Sequence, residues 1–258
     1  LKKINVFKLP FRNFSMISAK YKIGFLILPI FIISIAISVY YLFFQESGKT
    51  VQFEVKGIVE LPPPVTRGTM SVEEAILKRR SVRSYSNKPL SLEDVSQLLW
   101  AAQGITDPAR GFRAAPSAGA TYPLEVYVVV GENGVMGLEK GLYHYRPDKH
   151  ILEYVFEDDL RSGLSDVALG QSPIREAPIS IIIAAVYERT KSRYGERGIR
   201  YVRMEAGHVG QNIYLQAVAR GLGTVVIGAF EDSRVQNVLG LPANQNPLYI
   251  IPVGYPSG

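Results

Sequence analysis

The chain has 258 residues, 47% of them hydrophobic, and a formal net charge of +6. That length accommodates one sizeable globular domain and an additional segment. Cysteine is absent, which excludes disulfides, thiolate catalysis and iron–sulfur ligation. Much of the charge excess lies near the N-terminus, in Lys2, Lys3, Lys8, Arg12, Lys20 and Lys22, with no acidic residue before Glu46. The rest is nearly balanced and carries neither zinc-finger spacing nor a stacking-aromatic motif, so no nucleic-acid partner is expected.

Residues 1–22 form this basic arm. Residues 23–45 contain no charge and are apolar nearly throughout. About 20 such residues cross ~30 Å of hydrocarbon, so the expectation is one transmembrane helix, with Tyr40 and Tyr41 at the interface and Pro29 as a tolerated kink. A cleaved signal peptide has a shorter core ending in small residues, which Tyr40-Tyr41-Leu42-Phe43-Phe44 does not provide. The basic arm places the N-terminus in the cytoplasm by the positive-inside rule and the large domain outside it. Residues 46–69 read as a linker, stiffened by Leu61-Pro62-Pro63-Pro64, and residues 70–258 as the globular domain.

Within that domain, Ser71 with Glu74 makes a capping box that starts a helix to about Lys78. Ser91 with Asp94 starts a second, ending near Gln103-Gly104, with Leu92, Val95, Leu98 and Leu99 on its apolar face. Leu124 to Val130 reads as a strand. Leu142 to Arg146 and Ile151 to Phe156 flank a turn as a hairpin, and a short helix follows around Asp159 to Leu169. Ile179 to Val186 is a buried strand. The longest helix spans about Gly198 to Arg220, with Ile199, Val202, Ala206, Val209, Ile213 and Ala217 at helical spacing, and Gly221 ends it. Thr224 to Ala229 reads as a buried strand, Ser233 as a helix start, and Leu248 to Val253 as a final strand. Without a regular βαβ repeat, this order predicts an α+β domain with a mixed or antiparallel sheet flanked by helices.

Arg79-Arg80-Ser81-Val82-Arg83 is the most informative stretch. Guanidinium groups so close repel one another unless an anion sits among them, and their forked donors suit a phosphate or a carbonyl-rich ring edge. A solvated helix end is the plainer reading. It does not account for the small, turn-prone run from Pro116 to Pro123 or for Gly221-Leu222-Gly223-Thr224-Val225-Val226-Ile227-Gly228, which together point to a phosphorylated, flat cofactor. Gly221-Leu222-Gly223 follows a helix and opens a strand, the reverse of a dinucleotide fingerprint. Gly48-Lys49-Thr50 lacks the earlier glycine of a P-loop. Glu205 and His208 have the spacing of a di-iron helix motif but no second pair, so no metal is expected. No G-x-S-x-G elbow occurs.

In their order, these segments resemble the nitroreductase family of flavoproteins, and within it the SagB/ThcOx-like branch of dehydrogenases related to peptide azoline oxidation. The resemblance covers about Met70 to Tyr255. It rests on Arg79-Arg80-Ser81-Val82-Arg83, on Pro116-Ser117-Ala118-Gly119 leading to Tyr122-Pro123-Leu124-Glu125-Val126, and on Glu205-Ala206-Gly207-His208 continuing through Gln211-Asn212 to Gly221-Leu222-Gly223. It implies an FMN-binding α+β fold and a homodimer with two active sites at its interface. Arg79, Arg80 and Ser81 would hold the FMN phosphate and ribityl chain, and Arg83 would approach the N1/O2 edge, where a cation favours hydride acceptance. Pro116, Ser117, Ala118 and Gly119 would come from the other subunit. Ile227 and Gly228 would bring a backbone N–H to N5.

Two departures qualify the resemblance. Many members carry a basic residue after the last strand, where this chain reads Gly254-Tyr255-Pro256-Ser257-Gly258. The phosphate site then depends on the Arg79 cluster, or the C-terminus is incomplete. The azoline-oxidising enzymes have a Lys-Tyr pair before the long helix, where Arg193-Tyr194 stands here. Tyr194 can serve as an acid or base, whereas Arg193 does not lose its proton. The expectation is an FMN oxidoreductase passing hydride through flavin N5 between a donor, NAD(P)H or a quinone among them, and a small electrophilic or heterocyclic substrate. The alternative is a non-catalytic, membrane-tethered binding module of the same fold.

Overall fold

The computed structural model describes residues 34–35 and 54–257. The expected membrane span at 23–45 therefore lies outside the described residues, apart from Ser34 and Ile35, which are helical. Among the described residues no helix is long and apolar enough to cross a membrane. Residues 1–50 and 51–258 are separate units.

The frame of the second unit is a seven-stranded sheet built from β1 (Gly57–Glu60), β4 (Leu124–Val130), β5 (Gly141–Arg146), β6 (Ile151–Phe156), β7 (Ile179–Ala185), β8 (Gly223–Thr224) and β9 (Asn246–Gly254). The order is β1-β6-β5-β4-β7-β9-β8, and every neighbouring pair is antiparallel. A separate small ribbon pairs β2 (Ile105–Asp107) with β3 (Phe112–Arg113).

Strand β7 lies near the middle of the sheet and is buried on both faces, which explains its unbroken apolar run. Ile181 and Ile183 point into one core with Val126 and Val128, while Ile182 and Ala184 point into the other with Tyr127 and Val129. Helices α2 (Leu92–Gln103) and α6 (Arg197–Ala219) cover the first face, through Val95, Leu98 and Leu99 and through Val202, Ala206, Val209 and Ile213. The second is covered by α3 (Arg161–Val167), α4 (Ser172–Glu176) and α7 (Asp232–Leu239), through Leu164, Ile174 and Val235. Each fully buried Ile or Leu contributes roughly 2 kcal/mol.

The capping signals hold to different degrees. At Ser91 the box is complete: Ser91 Oγ accepts from Asp94 N–H at 3.1 Å, and Asp94 Oδ2 accepts from Ser91 N–H at 3.3 Å. At Ser71, before α1 (Val72–Lys78), only half forms. Ser71 Oγ accepts from Glu74 N–H, but the Glu74 carboxylate turns to Lys78, 2.6 Å away.

Three expectations need correction. The stretch read as a linker includes a strand of the sheet, Gly57–Glu60, and packs on the domain beyond it: β1 pairs with β6, Leu61 is buried, and the Pro62 carbonyl accepts from Ser96 Oγ at 2.5 Å. The expected strand from Thr224 to Ala229 is only β8 plus a single bridge between Ile227 and Ile250, because Val226 N–H turns away to the Tyr214 hydroxyl at 3.0 Å. Two helices were not anticipated, α4 and the polar α5 (Tyr187–Tyr194), which leads into α6.

Candidate active site

The 79–83 turn leaves α1 and runs beside β8. Val82 N–H donates to Thr224 O at 2.9 Å, and Ser81 bridges to Thr224 in parallel. This closeness needs Gly223, since a Cβ there would lie 2.6 Å from Val82 Cγ1. The turn is thereby fixed against the segment that carries Ile227 and Gly228.

Tyr214 of α6 ties the two together. Its hydroxyl accepts from Val226 N–H at 3.0 Å and lies 2.9 Å from Ser81 Oγ. Because that oxygen already accepts from a backbone amide, its own hydrogen can be directed at Ser81. The Arg79 guanidinium sits 5.1 Å from the Tyr214 ring centroid, in cation–π range. Sequence reading passed over Tyr214 because only the apolar stripe of α6 was periodic. Its one signal was an aromatic next to Ile213, off that stripe.

Arg79, Arg80 and Arg83 make no ion pair with a carboxylate among the described residues. Arg80 Nη1 donates only to the carbonyls of Leu77 and Arg79, at 3.0 and 2.7 Å. Arg161, Arg175, Arg189, Arg220 and Arg234 find an Asp or Glu, whereas the unpaired arginines of the 79–83 turn stand within five residues of one another. A clustered, uncompensated donor set at a fixed turn suits a phosphate.

Gly228 completes this half. Ile227 N–H is already committed to Ile250 O, at 2.9 Å, so of the two residues expected to offer an amide to a ring nitrogen only Gly228 has one free among the described residues.

The 116–119 segment lies elsewhere. It ends in a 3-10 turn, Ala118–Ala120, where Gly119, Ala120 and Tyr122 have φ of 63°, 54° and 43°. Left-handed backbone at Ala and Tyr costs energy and clusters at functional sites. α5 holds the segment in place. Gly119 O accepts from Arg193 Nη1 at 3.1 Å, and a Cβ on Gly119 would lie 2.7 Å from Tyr194 Oη. Tyr194 also meets Tyr201 edge-on, with ring centroids 5.2 Å apart. The structure thus brings Tyr194 to the 116–119 segment and not to the 79–83 turn.

Beneath that segment is a buried polar cluster. Ser117 Oγ accepts from Tyr122 N–H at 2.9 Å, and Arg113 donates to Gln103 Oε1 at 3.1 Å and covers the Tyr122 ring at 4.5 Å. Glu205 of α6, 2% exposed, lies among them. Burial pushes its carboxyl up to about 7, although Ser117, Gln103 and Arg113 favour the charged form. His208, one turn on, is exposed, so the Glu205–His208 pair does not converge on one point.

A second acidic group has the opposite balance. Burial pushes Glu125 up, but the hydrogen bond from His144 and the Arg189 guanidinium outweigh it and hold the carboxyl at about 2. His144 Nε2 stands 2.8 Å from Glu125 Oε2, and its ring stacks on Tyr127.

The nitroreductase family's sequence model matches residues 76–255. The chain belongs to the nitroreductase family. It is 45% identical over 207 residues to a protein of Methanocaldococcus jannaschii named as a candidate nitroreductase, covering 80% of this chain and 98% of that one. It is 30% identical over 155 residues to the microcin B17-processing protein McbC of Escherichia coli, of which it spans 57%. The fold matches a crystal structure of a candidate nitroreductase from Ralstonia eutropha, with a TM-score of 0.69, 28% identity and coverage of 81% of this chain and 94% of that one. It also matches a chain of the E. coli microcin synthetase McbBCD complex, with a TM-score of 0.62, 26% identity and coverage of 83% and 80%. The chain is accordingly a nitroreductase-family oxidoreductase.

Proposed function

We propose that this chain is an FMN-dependent oxidoreductase acting as a homodimer. The carrying observation is the fixed cationic turn, where Arg79, Arg80 and Arg83 have no carboxylate partner among the described residues, beside the Ser81–Tyr214–Val226 contact. Its donors fit a phosphate-bearing cofactor. Bound FMN would supply two-electron hydride chemistry at N5. Arg79, Arg80 and Ser81 would hold its phosphate and ribityl end, Arg83 would face the electron-rich edge of its ring, and Gly228 N–H would be the amide near N5.

A second copy supplies the remaining wall. Tyr214, beside the 79–83 turn, and Glu205, beside the 116–119 segment, are nine residues apart on α6, about 13 Å along the helix axis, so the two segments meet the helix at different levels. Placing Pro116, Ser117, Ala118 and Gly119 of each subunit against the other subunit's turn resolves the separation. Tyr194, beside Gly119, is then an acid–base candidate. The substrate would be a small electrophile or a heterocycle-bearing molecule, with NAD(P)H or a quinone as redox partner. Likeness to a microcin-processing protein supports the heterocycle reading, and Arg193 in place of lysine counts against azoline oxidation. The apolar run 23–45 behind a basic arm supports a membrane anchor with the N-terminus in the cytoplasm.

The test is a titration with FMN followed by quenching of flavin fluorescence. Arg79→Ala should weaken binding about 10- to 100-fold, the usual worth of a charge-assisted hydrogen bond. Unchanged affinity in Arg79→Ala and Arg83→Ala alike would contradict the placement.

A further inference from the structure

Glu205 Oε1 and Gln103 Nε2 are both buried, and neither makes a well-formed hydrogen bond among the described residues, although Gln103 and Ser117 stand close enough to favour the Glu205 carboxylate. A buried carboxyl that its polar neighbours satisfy only in part is costly, more than a core position ordinarily tolerates. A hydrophobic residue at 205 would pack between Val202 and Val209 without that cost. Burial disfavours the ionised carboxylate, against the pull of Ser117, Gln103 and Arg113 toward it.

The groups that face Glu205 are Gln103 from α2, Arg113 from β3 and Ser117 from the 116–119 segment. Arg113 is itself held by Gln103 and Tyr122. Ser117 Oγ accepts from Tyr122 N–H, so its own O–H can turn to the Glu205 carboxyl, whose charged form it favours. It is the only side-chain hydroxyl in the 116–119 segment. The cluster therefore has a buried proton-holding carboxyl at its inner end and a rotatable hydroxyl at the outer end.

We propose that Glu205 is the proton reservoir of the active site and that Ser117 is its outlet. The inference rests on the reading that the 116–119 segment lines the cofactor site. The Glu205 carboxyl O–H breaks and its proton passes to Ser117 Oγ while the Ser117 hydroxyl proton passes to the substrate atom that becomes anionic on reduction. Water reprotonates the carboxylate. No electrons move at either residue, since the hydride of the proposed reaction supplies both. The position of Glu205 against pH fits the task, because a proton donor works best with a pKa near the working pH, and burial brings this carboxyl to about 7.

The experiment uses the full chain with its flavin, comparing wild type, Glu205→Gln and Ser117→Ala. Infrared difference spectra give the protonated-carboxyl carbonyl band against pH. Stopped-flow reoxidation of dithionite-reduced protein by 1,4-benzoquinone gives the rate. The wild type should show a band that disappears as pH rises through about 7, absent in Glu205→Gln and retained in Ser117→Ala. Both variants should keep their FMN yet reoxidise about 100-fold more slowly, the usual worth of a positioned proton donor. Full FMN with an unchanged rate and pH profile in Glu205→Gln would overturn the relay alone. A wild type without FMN would overturn the flavin reading and the relay with it, while the infrared band still reported the carboxyl.

Discussion

Two buried carboxyls of this domain pull stability in opposite directions with pH. Glu205 is raised to about 7 in the fold, so the folded state binds its proton more tightly than the unfolded chain does. Its contribution is full below the unfolded carboxylate value, near 4.5, and is lost as pH rises to about 7. The size of the shift corresponds to about 3 kcal/mol. Thermal or urea unfolding of Glu205→Gln should accordingly show a smaller fall in stability across that window than the wild type. Glu125, held at about 2, contributes above 4.5 and loses its part as pH falls toward 2. An identical pH dependence in Glu205→Gln and wild type would mean that the Glu205 carboxyl is not raised. At this scale the sequence displayed the cationic turn, because like charges in a row demand an explanation. It hid Tyr214 and Glu205, whose roles depend on what lies across the helix interface.

Elements were legible where burial imposes a period or a continuous apolar run. β4 and β6 coincide with their readings, and β5 and β7 lie within a residue of theirs, since central strands packed on both faces have little freedom in composition. The edge strand β1 was not legible. It pairs on one side only and leaves Ile58 65% exposed, so its four residues before a proline run look like linker. α5 escaped notice because only Thr190 is buried along it, which leaves no apolar stripe. The apolar run after Gly223 suggested a long strand, but the chain leaves the sheet to meet Tyr214. Gly223 is the hinge of that arrangement. Gly223→Ala would place a methyl against Val82 Cγ1 and Cβ, at 2.6 and 2.8 Å, forcing the 79–83 turn off β8. It should cost about 1–3 kcal/mol, as overpacking does, visible as a lower urea midpoint together with weakened FMN binding. A wild-type midpoint would show that the turn yields without strain.

For the whole molecule, the 79–83 turn and the 116–119 segment meet α6 about 13 Å apart along its axis, and in the proposed homodimer each copy's segment would face the other's turn. Neither half is long, and neither is specific alone. Both lie within residues 76–255, over which the family model matches. The basic arm and the apolar run before the domain add a proposed tether that keeps this chemistry at a membrane. The most direct test of the flavoenzyme reading is the absorbance spectrum of the full-length protein purified in detergent, with any cofactor released by heat and identified by mass. A yellow protein carrying FMN near one per chain is the expected result. A colourless protein that takes up no FMN when the cofactor is added would contradict it and leave a tethered binding module of the same fold.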